Sequence, residues 1–274
     1  MSTLDEPPSP TRDLMHSAEI KALVREAYRQ VPPTTEAVAR KFYSAQELAQ
    51  VPAAAIRRAL GVANHLRFAR IDPGDTILDL GCGGGIDTIL AARRTGPTGR
   101  VIALDFLPEM LQRTADAAAE AGLDNVEVLE GELESIPLPD SSVDLIISNG
   151  VVNLSPRKSR VMAECARVLR RGGRLCVSDL TVEQETLPPE ILAQPAAWAG
   201  CVAGALAEAA FVRKLAKAGL TDIAVIQREP LGIADCALYP LFSDEVIRLM
   251  TELLPAQRHG EVAVSIVVTA ALPL

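Results

Sequence analysis

The chain has 274 residues, of which 49% are hydrophobic and 23% charged, and its formal net charge is -8. This length suits one large α/β core and is too short for two ordinary catalytic domains. The acidic balance argues against a surface that neutralises phosphates, so nucleic acid is not expected as a partner. The sequence has neither an apolar run long enough for a membrane span nor a secretion signal, which predicts a cytoplasmic protein without a membrane partner.

Hydrophobic periodicity divides the N-terminal part of the chain into a leader and a cap. Residues 1–16 open with a proline-rich stretch that has no apolar period, which predicts a disordered leader. Residues 17–70 contain two helical patterns, Ala18–Val31 and Ser44–Leu66, and the second opens with serine and glutamate at the spacing of a capping box. We expect these helices to form an N-terminal helical cap.

From Asp75 onwards, short β-rich runs alternate with helical runs. This alternation implies parallel strands with right-handed crossovers, so a doubly wound α/β core is predicted over residues 71–180. Residues 181–274 are interpreted as C-terminal strands that complete the sheet, with substrate-side insertions at 181–206 and 230–258. The predicted strands are Thr76–Leu80, Arg100–Asp105, Val126–Glu130, Val143–Ser148, Arg174–Asp179, Asp222–Gln227 and Glu261–Ala271.

The strongest motif runs from Ile77 to Asp87, where a buried strand leads into a glycine-rich turn and then a helix. Glycine backbone lets a ligand approach closely, and a helix N-terminus offers unpaired N–H donors. Asp79 precedes the first glycine by two residues, where a carboxylate would repel a pyrophosphate but attract the amino group or sulfonium of S-adenosylmethionine. A dinucleotide turn would need glycine or alanine at the position of Ile86.

Further acidic residues follow the next strands. Asp105 ends the second strand, about 20 residues beyond the glycine turn, where a carboxylate can accept hydrogen bonds from both ribose hydroxyls. Phe106 and Met110 are placed to pack on adenine, Glu132 follows the third strand where an acid reads the adenine edge, and Asn149 ends the fourth strand.

Together these features predict a methyltransferase that uses S-adenosylmethionine as its cofactor. A NAD-dependent oxidoreductase is the remote alternative, because dinucleotide enzymes also place a glycine turn between a strand and a helix. The predicted cofactor-binding residues are Asp79, Gly81, Gly83, Asp105, Phe106, Met110, Glu132, Leu133 and Asn149.

Over about residues 65–230 the chain resembles the Rossmann-like S-adenosylmethionine-dependent methyltransferases. The segments Ser148–Pro156, Arg167–Gly173 and Trp198–Leu206 resemble, more narrowly, the arsenite methyltransferases. The resemblance implies a mostly parallel seven-stranded sheet with an antiparallel C-terminal strand, and a small-molecule substrate, arsenite together with a small thiol.

The cysteines depart in part from that family, whose members hold trivalent arsenic with three thiolates, one of them just before the sheet. The corresponding stretch here, Leu60–His65, has no cysteine. Cys201 matches locally and Cys236 lies in the C-terminal region, so the resemblance implies these two as the catalytic residues. Because one arsenic-binding cysteine is missing, methylation of another small soft or carbon nucleophile is the alternative function.

The remaining cysteine and histidine positions argue against a metal site. The five cysteines include no C-x-x-C pair, and the three histidines have no metal-binding spacing. Reduced thiols and no bound metal are therefore predicted. The sequence also has no well-placed His–Asp pair to serve as a general base, which favours a soft or carbon nucleophile over oxygen or nitrogen.

Overall fold

The computed structural model describes residues 10–183 and 187–274, with side chains from residue 18 onwards. The strands are β1 (Thr76–Leu80), β2 (Arg100–Asp105), β3 (Val126–Glu130), β4 (Val143–Asn149), β5 (Leu169–Thr181), β6 (Thr221–Leu231) and β7 (Ala263–Ala271). They form one seven-stranded sheet in the order β3-β2-β1-β4-β5-β7-β6. Strands β1 to β5 run parallel, whereas β7 is antiparallel to β5 and β6. The predicted fold class is confirmed.

Helices pack against both faces of the sheet. They are α1 (Pro10–Arg29), α2 (Glu36–Phe42), α3 (Ala45–Leu48), α4 (Ala53–Ile56), α5 (Ile86–Thr95), α6 (Pro108–Glu120), α7 (Lys158–Val168), α8 (Pro189–Leu192), α9 (Pro195–Ala199), α10 (Glu208–Lys217), α11 (Ile233–Cys236) and α12 (Asp244–Leu253). Across the described ranges, none of them is both long enough and apolar enough to cross a bilayer.

The central strands bury both of their faces. Side chains alternate along a strand, so Ile77 of β1 packs with Leu145 of β4 in one core while Leu78 packs with Ile146 in the other. Strands that are covered on both sides read as continuous apolar runs, as β1 and β4 do. This packing holds the carboxyl ends of β2, β1 and β4 side by side.

The prediction of one helix over Ser44–Leu66 is wrong. The chain instead forms the single-turn helices α3 and α4, followed by a 3-10 turn at His65–Arg67. Pro52 lies between the two helices and has no N–H to continue a helical ladder. The capping box is present, because the Ser44 side chain accepts from the Glu47 N–H while the Glu47 carboxylate accepts from the Ser44 N–H.

Several further boundaries differ from the predicted ones, including those of β4, β6 and β7. Residues 1–9 of the predicted leader lie outside the described residues, and α1 begins at Pro10 rather than near Ser17. Strand β5 begins at Leu169, which pairs with Val143 before the register shifts. The strand therefore includes the two glycines at 172–173, which the sequence pattern placed between a helix and a shorter strand.

Gly61 joins the N-terminal cap to the sheet at the end of β4. A β-carbon at this position would lie 2.4 Å from Asn149 Nδ2 and 2.8 Å from its Cγ. The neighbouring Val62 N–H donates to Asn149 Oδ1 at 2.8 Å, and Asn149 Nδ2 donates to the Ala63 carbonyl at 2.9 Å. The absence of a side chain at Gly61 thus allows the cap to dock on β4.

We predict that Gly61→Ala lowers the free energy of unfolding by roughly 1–3 kcal/mol, the usual cost of forcing extra atoms into a packed region. Gly260→Ala is the matched control, because a β-carbon there meets no atom within 4 Å. The control should stay within about 0.5 kcal/mol of the parent protein. Urea unfolding measures both, and equal effects of the two substitutions would contradict the docking role of Gly61.

Candidate functional site

A cleft lies at the carboxyl ends of β2, β1 and β4. Its empty volume is about 1250 Å³, including space open to solvent. Strand β1 lies between β2 and β4 in the sheet. The chain continues from β1 to β2 on one side, whereas β4 lies on the other side of β1, so the strand order reverses at this cleft. Open α/β sheets bind their ligands at such a switch in strand order.

The structure brings all nine sequence-predicted cofactor residues to the wall of this one cleft. They belong to the ends of the four strands β1 to β4 and to the segments that follow them. They are Asp79, Gly81, Gly83, Asp105, Phe106, Met110, Glu132, Leu133 and Asn149. Their role in cofactor binding stays a prediction.

Asp79 and Asp105 are the two acids at the carboxyl ends of β1 and β2. The Asp79 Oδ2 accepts a 2.5 Å hydrogen bond from the Thr88 hydroxyl. Burial, reinforced by the nearby Asp87 carboxylate, raises the pKa of Asp79 to about 8. Asp105 accepts from the Gly83 N–H at 3.1 Å and from the Leu107 N–H at 3.0 Å, and burial raises its pKa to about 6. Both acids therefore lie in a poorly hydrated part of the cleft.

The glycine turn keeps the cleft open beside these acids. Gly83 has a φ of +52°, and a β-carbon built there would meet no atom within 4 Å. Gly81 has a φ of +82°, and its β-carbon would approach Val151 Cγ1 to 2.6 Å. The turn thus leaves open space beside the backbone at Gly83 and packs tightly at Gly81 against Val151, in the segment after β4.

The cleft residues that were missing from the predicted site include Tyr43 and Asp87. The Tyr43 hydroxyl donates to Asp87 Oδ1 at 2.7 Å, and Asn149 Nδ2 lies 3.0 Å from Asp87 Oδ2. Asn149 Oδ1 also accepts from the Ser178 hydroxyl at 2.9 Å, so its amide is occupied by protein partners. Asp87 stands in the glycine motif itself, directly after the turn, which was the available signal. Tyr43 comes from the cap, and only the fold places it here.

Helix α1 contacts the part of the cleft that contains Glu132 and Phe106. Lys21 Nζ is 2.7 Å from Glu132 Oε2 and 3.3 Å from Glu134 Oε2. The guanidinium of Arg25 lies 5.4 Å from the centre of the Phe106 ring. Glu132, predicted to read a nucleobase, is therefore paired with a lysine from this helix.

A second, smaller cleft adjoins the first and contains Cys201. Its volume is about 310 Å³, and Tyr28, Leu60 and Gly150 line both clefts. Cys201 has a φ of +62°, and its thiol donates to the Gly150 carbonyl at 3.2 Å. A left-handed backbone at a non-glycine residue is uncommon and carries some conformational strain. The remaining wall is largely apolar, including Leu180, Leu231, Leu241 and Phe242.

Cys236 lines neither of these two clefts. It is fully buried in helix α11, and burial raises the pKa of its thiol to about 12. Tyr239, one turn later, does line the smaller cleft, and its hydroxyl donates to the Gly61 carbonyl at 2.9 Å. The structure thus brings Cys201 but not Cys236 to the cleft surface, and a catalytic role for Cys236 stays a prediction.

The chain is similar to known methyltransferases in sequence and structure. The family described as "Methyltransferase domain" matches residues 71–219. An arsenite methyltransferase of Halobacterium salinarum is 43% identical over 166 residues, which are 61% of this chain and 42% of that protein. A demethylmenaquinone methyltransferase of Listeria monocytogenes is 36% identical over 115 residues, which are 42% of this chain and 48% of that protein. The chain therefore spans about half the length of the curated relatives it matches.

One solved structure resembles nearly the whole chain. It is CrArsM, an arsenic(III) S-adenosylmethionine methyltransferase from Chlamydomonas reinhardtii. The TM-score is 0.58 at 29% sequence identity, and the match covers 92% of this chain and 73% of that one.

Asp79 should make the stability of the ligand-free protein fall as pH rises. Its pKa is about 8 when folded, against an ordinary value near 4, so between these values the folded state keeps a proton that the unfolded chain has released. The contribution to stability is full below about pH 4 and is lost as pH rises through about 8.

We predict that Asp79→Asn, which is neutral throughout, escapes this loss. The difference between its free energy of unfolding and that of the parent protein should increase by up to about 1.4 kcal/mol for each pH unit between about pH 4 and about pH 8. Denaturant unfolding at about pH 5 and about pH 8 measures the difference. Glu127→Gln, at a side chain that is 60% exposed, is the control. If the free energy of unfolding of Asp79→Asn, relative to the parent, changes between the two pH values no more than that of Glu127→Gln, the prediction is contradicted.

Proposed function

Since the chain belongs to the methyltransferase domain family, we propose that it transfers the methyl group of S-adenosylmethionine to trivalent arsenic held by thiols. Its membership of the S-adenosylmethionine-dependent methyltransferases and the predicted cofactor are confirmed by the family match and by the likeness to CrArsM. The oxidoreductase alternative is set aside by the same family match. The acceptor is the proposed part.

The position of Cys201 is the observation that supports arsenic as the acceptor. Its thiol lies in the smaller cleft, which meets the cofactor cleft at Tyr28, Leu60 and Gly150. Thiolates are the ligands that suit a soft centre such as trivalent arsenic. A nucleophile held by Cys201 would therefore stand next to the cofactor, on the apolar side of the cleft.

The residues of the larger cleft fit S-adenosylmethionine. Each oxygen of Asp105 accepts one backbone N–H and keeps a lone pair free, so the carboxylate can also accept two ribose hydroxyls. Phe106, Met110 and Leu133 supply an apolar wall for adenine. Gly83 leaves space for the ligand next to the backbone.

The protein's part in the transfer is mainly alignment and exclusion of water. S-adenosylmethionine supplies a methyl group already activated by the sulfonium charge. A soft nucleophile needs no base, and neither His65 nor His259 lines the cofactor cleft. Holding the acceptor on Cys201 beside the cofactor supplies the orientation, which in favourable cases lowers a barrier by roughly 7–11 kcal/mol.

A second candidate function is methylation of another small soft or carbon nucleophile. It is favoured by the single thiol on the smaller cleft, because trivalent arsenic takes three ligands and the other two would have to come from small thiols. The largely apolar wall of that cleft also suits an organic acceptor. The same assay separates the two candidates.

We predict that arsenite with a small thiol stimulates formation of S-adenosylhomocysteine and that Cys201→Ser lowers this rate by at least about 100-fold. Substitutions that merely disturb the surroundings of a bound metal cost up to that factor. Cys165→Ser is the matched control, because that thiol is equally buried but lies on α7 in the opposite core. Cofactor binding without arsenite turnover would contradict arsenic as the acceptor and leave the second candidate.

A further inference from the structure

Two carboxylates share the floor of the cofactor cleft beneath the glycine turn. Asp79 ends β1 and is 2% exposed, and Asp87 lies in the first turn of α5 and is 9% exposed. They are close enough that the Asp87 charge helps to raise the pKa of Asp79. Two buried like charges this close are costly unless a cation or a proton compensates them.

The protein supplies only neutral donors to this pair. Thr88 donates to Asp79, while Tyr43 and Asn149 donate to Asp87. Among the side chains described, neither acid forms an ion pair with a lysine or arginine. The acids are therefore stabilised by hydrogen bonds but not neutralised.

Among the residues that the structure describes, the basic groups in or near the cleft form no ion pair with either acid. Lys21 pairs with Glu132 and Glu134, and Arg58 donates to the Val31 carbonyl at 3.1 Å. His65 is completely buried near Asp87, and burial lowers the pKa of its imidazole, so it is neutral at neutral pH. In the part of the chain that the structure describes, no group of three or more acids, cysteines and histidines could hold a metal ion. The Asp79 carboxyl, whose pKa is raised to about 8, therefore keeps a proton near neutral pH in the ligand-free protein, and a cationic ligand would take the place of that proton.

Asp87 is held rigidly in place. Its Oδ1 accepts from Tyr43 at 2.7 Å and its Oδ2 from Asn149 at 3.0 Å, so each oxygen is tied to a different element. The Asn149 amide nitrogen also lies 3.2 Å from the Tyr43 hydroxyl oxygen. The carboxylate therefore cannot rotate away when its surroundings change charge.

We propose that Asp87 is a charge-selecting residue of the cofactor site, which with Asp79 makes affinity depend on the number of positive charges at the methionine end of the ligand. The inference rests on the proposed function, because it takes S-adenosylmethionine as the ligand.

In the transfer, the bond from the methyl carbon to the acceptor forms as the bond from the methyl carbon to sulfur breaks. The electron pair stays on sulfur, which becomes a neutral thioether.

This charge change has a consequence for turnover. S-adenosylmethionine brings a sulfonium and an ammonium to the two acids, whereas S-adenosylhomocysteine brings the ammonium alone. After transfer, the acid pair again lacks one compensating charge. The floor of the cleft therefore favours exchange of product for fresh cofactor.

Calorimetric titration with three nucleosides tests the proposal. S-adenosylmethionine carries two positive charges at this end, S-adenosylhomocysteine one and methylthioadenosine none. We expect Asp87→Asn to weaken the first by about tenfold or more and the second by less, and to leave the third unchanged, because charge interactions in a buried site are strong. Asp116→Asn on α6, which removes the same net charge outside the cleft, is the control and should change none of them.

Tyr43→Phe provides a second, independent variant. It keeps both carboxylates but removes the 2.7 Å hydrogen bond that orients Asp87. The affinity ratio of S-adenosylmethionine to S-adenosylhomocysteine should fall a few-fold. If Asp87→Asn fails to fold, this ratio decides, and an unchanged ratio overturns the proposal.

The failures of the two proposals can be told apart. A parent protein that binds none of the three nucleosides contradicts the proposed function. A parent that binds all three, with Asp87→Asn weakening them equally or not at all, contradicts only the charge-selecting role of Asp87.

Discussion

The carboxylates that end β1 and β2, buried without a cation partner, are the constraint on which the rest of the site depends. An uncompensated acid in the interior is unfavourable, so the protein surrounds Asp79 and Asp105 with the donors that are available locally: a threonine of α5 and backbone N–H groups of the turns. Near neutral pH Asp79 keeps a proton in the ligand-free protein, and a cationic ligand would take the place of that proton. The site is thus stable enough to form and still gains free energy when a cation enters.

The cap takes part in this arrangement through a small set of polar contacts. Tyr43 reaches Asp87, and Asn149 of β4 joins both to the backbone of residues 62–63. Because the amide of Asn149 is used on both sides, the cap, the glycine turn and β4 are held in one arrangement. Gly61 is part of the same contact, since any side chain there would occupy the place of the amide.

The smaller cleft differs from the larger one in the chemistry of its wall. Its wall is largely apolar, with one thiol held in a strained backbone conformation against the carbonyl of Gly150. The larger cleft supplies charge and the smaller one supplies a soft ligand in a dry setting. Their meeting at Tyr28 and Gly150 is where an acceptor and a methyl donor could be aligned.

The sequence by itself determined the order of the strands along the chain, the glycine turn and the positions of Asp79 and Asp105, because these depend on local periodicity and spacing. The bounds of β1, β2 and β3 were predictable for the same reason. The cap was not, because single-turn helices separated by Pro52 are stabilised by tertiary contacts rather than by a local pattern. Only the tertiary structure decided that Tyr43 meets Asp87 and that Cys201, but not Cys236, reaches a cleft. Those relations join residues distant in the chain, and the packing of the cap and the C-terminal segments on the sheet sets their positions.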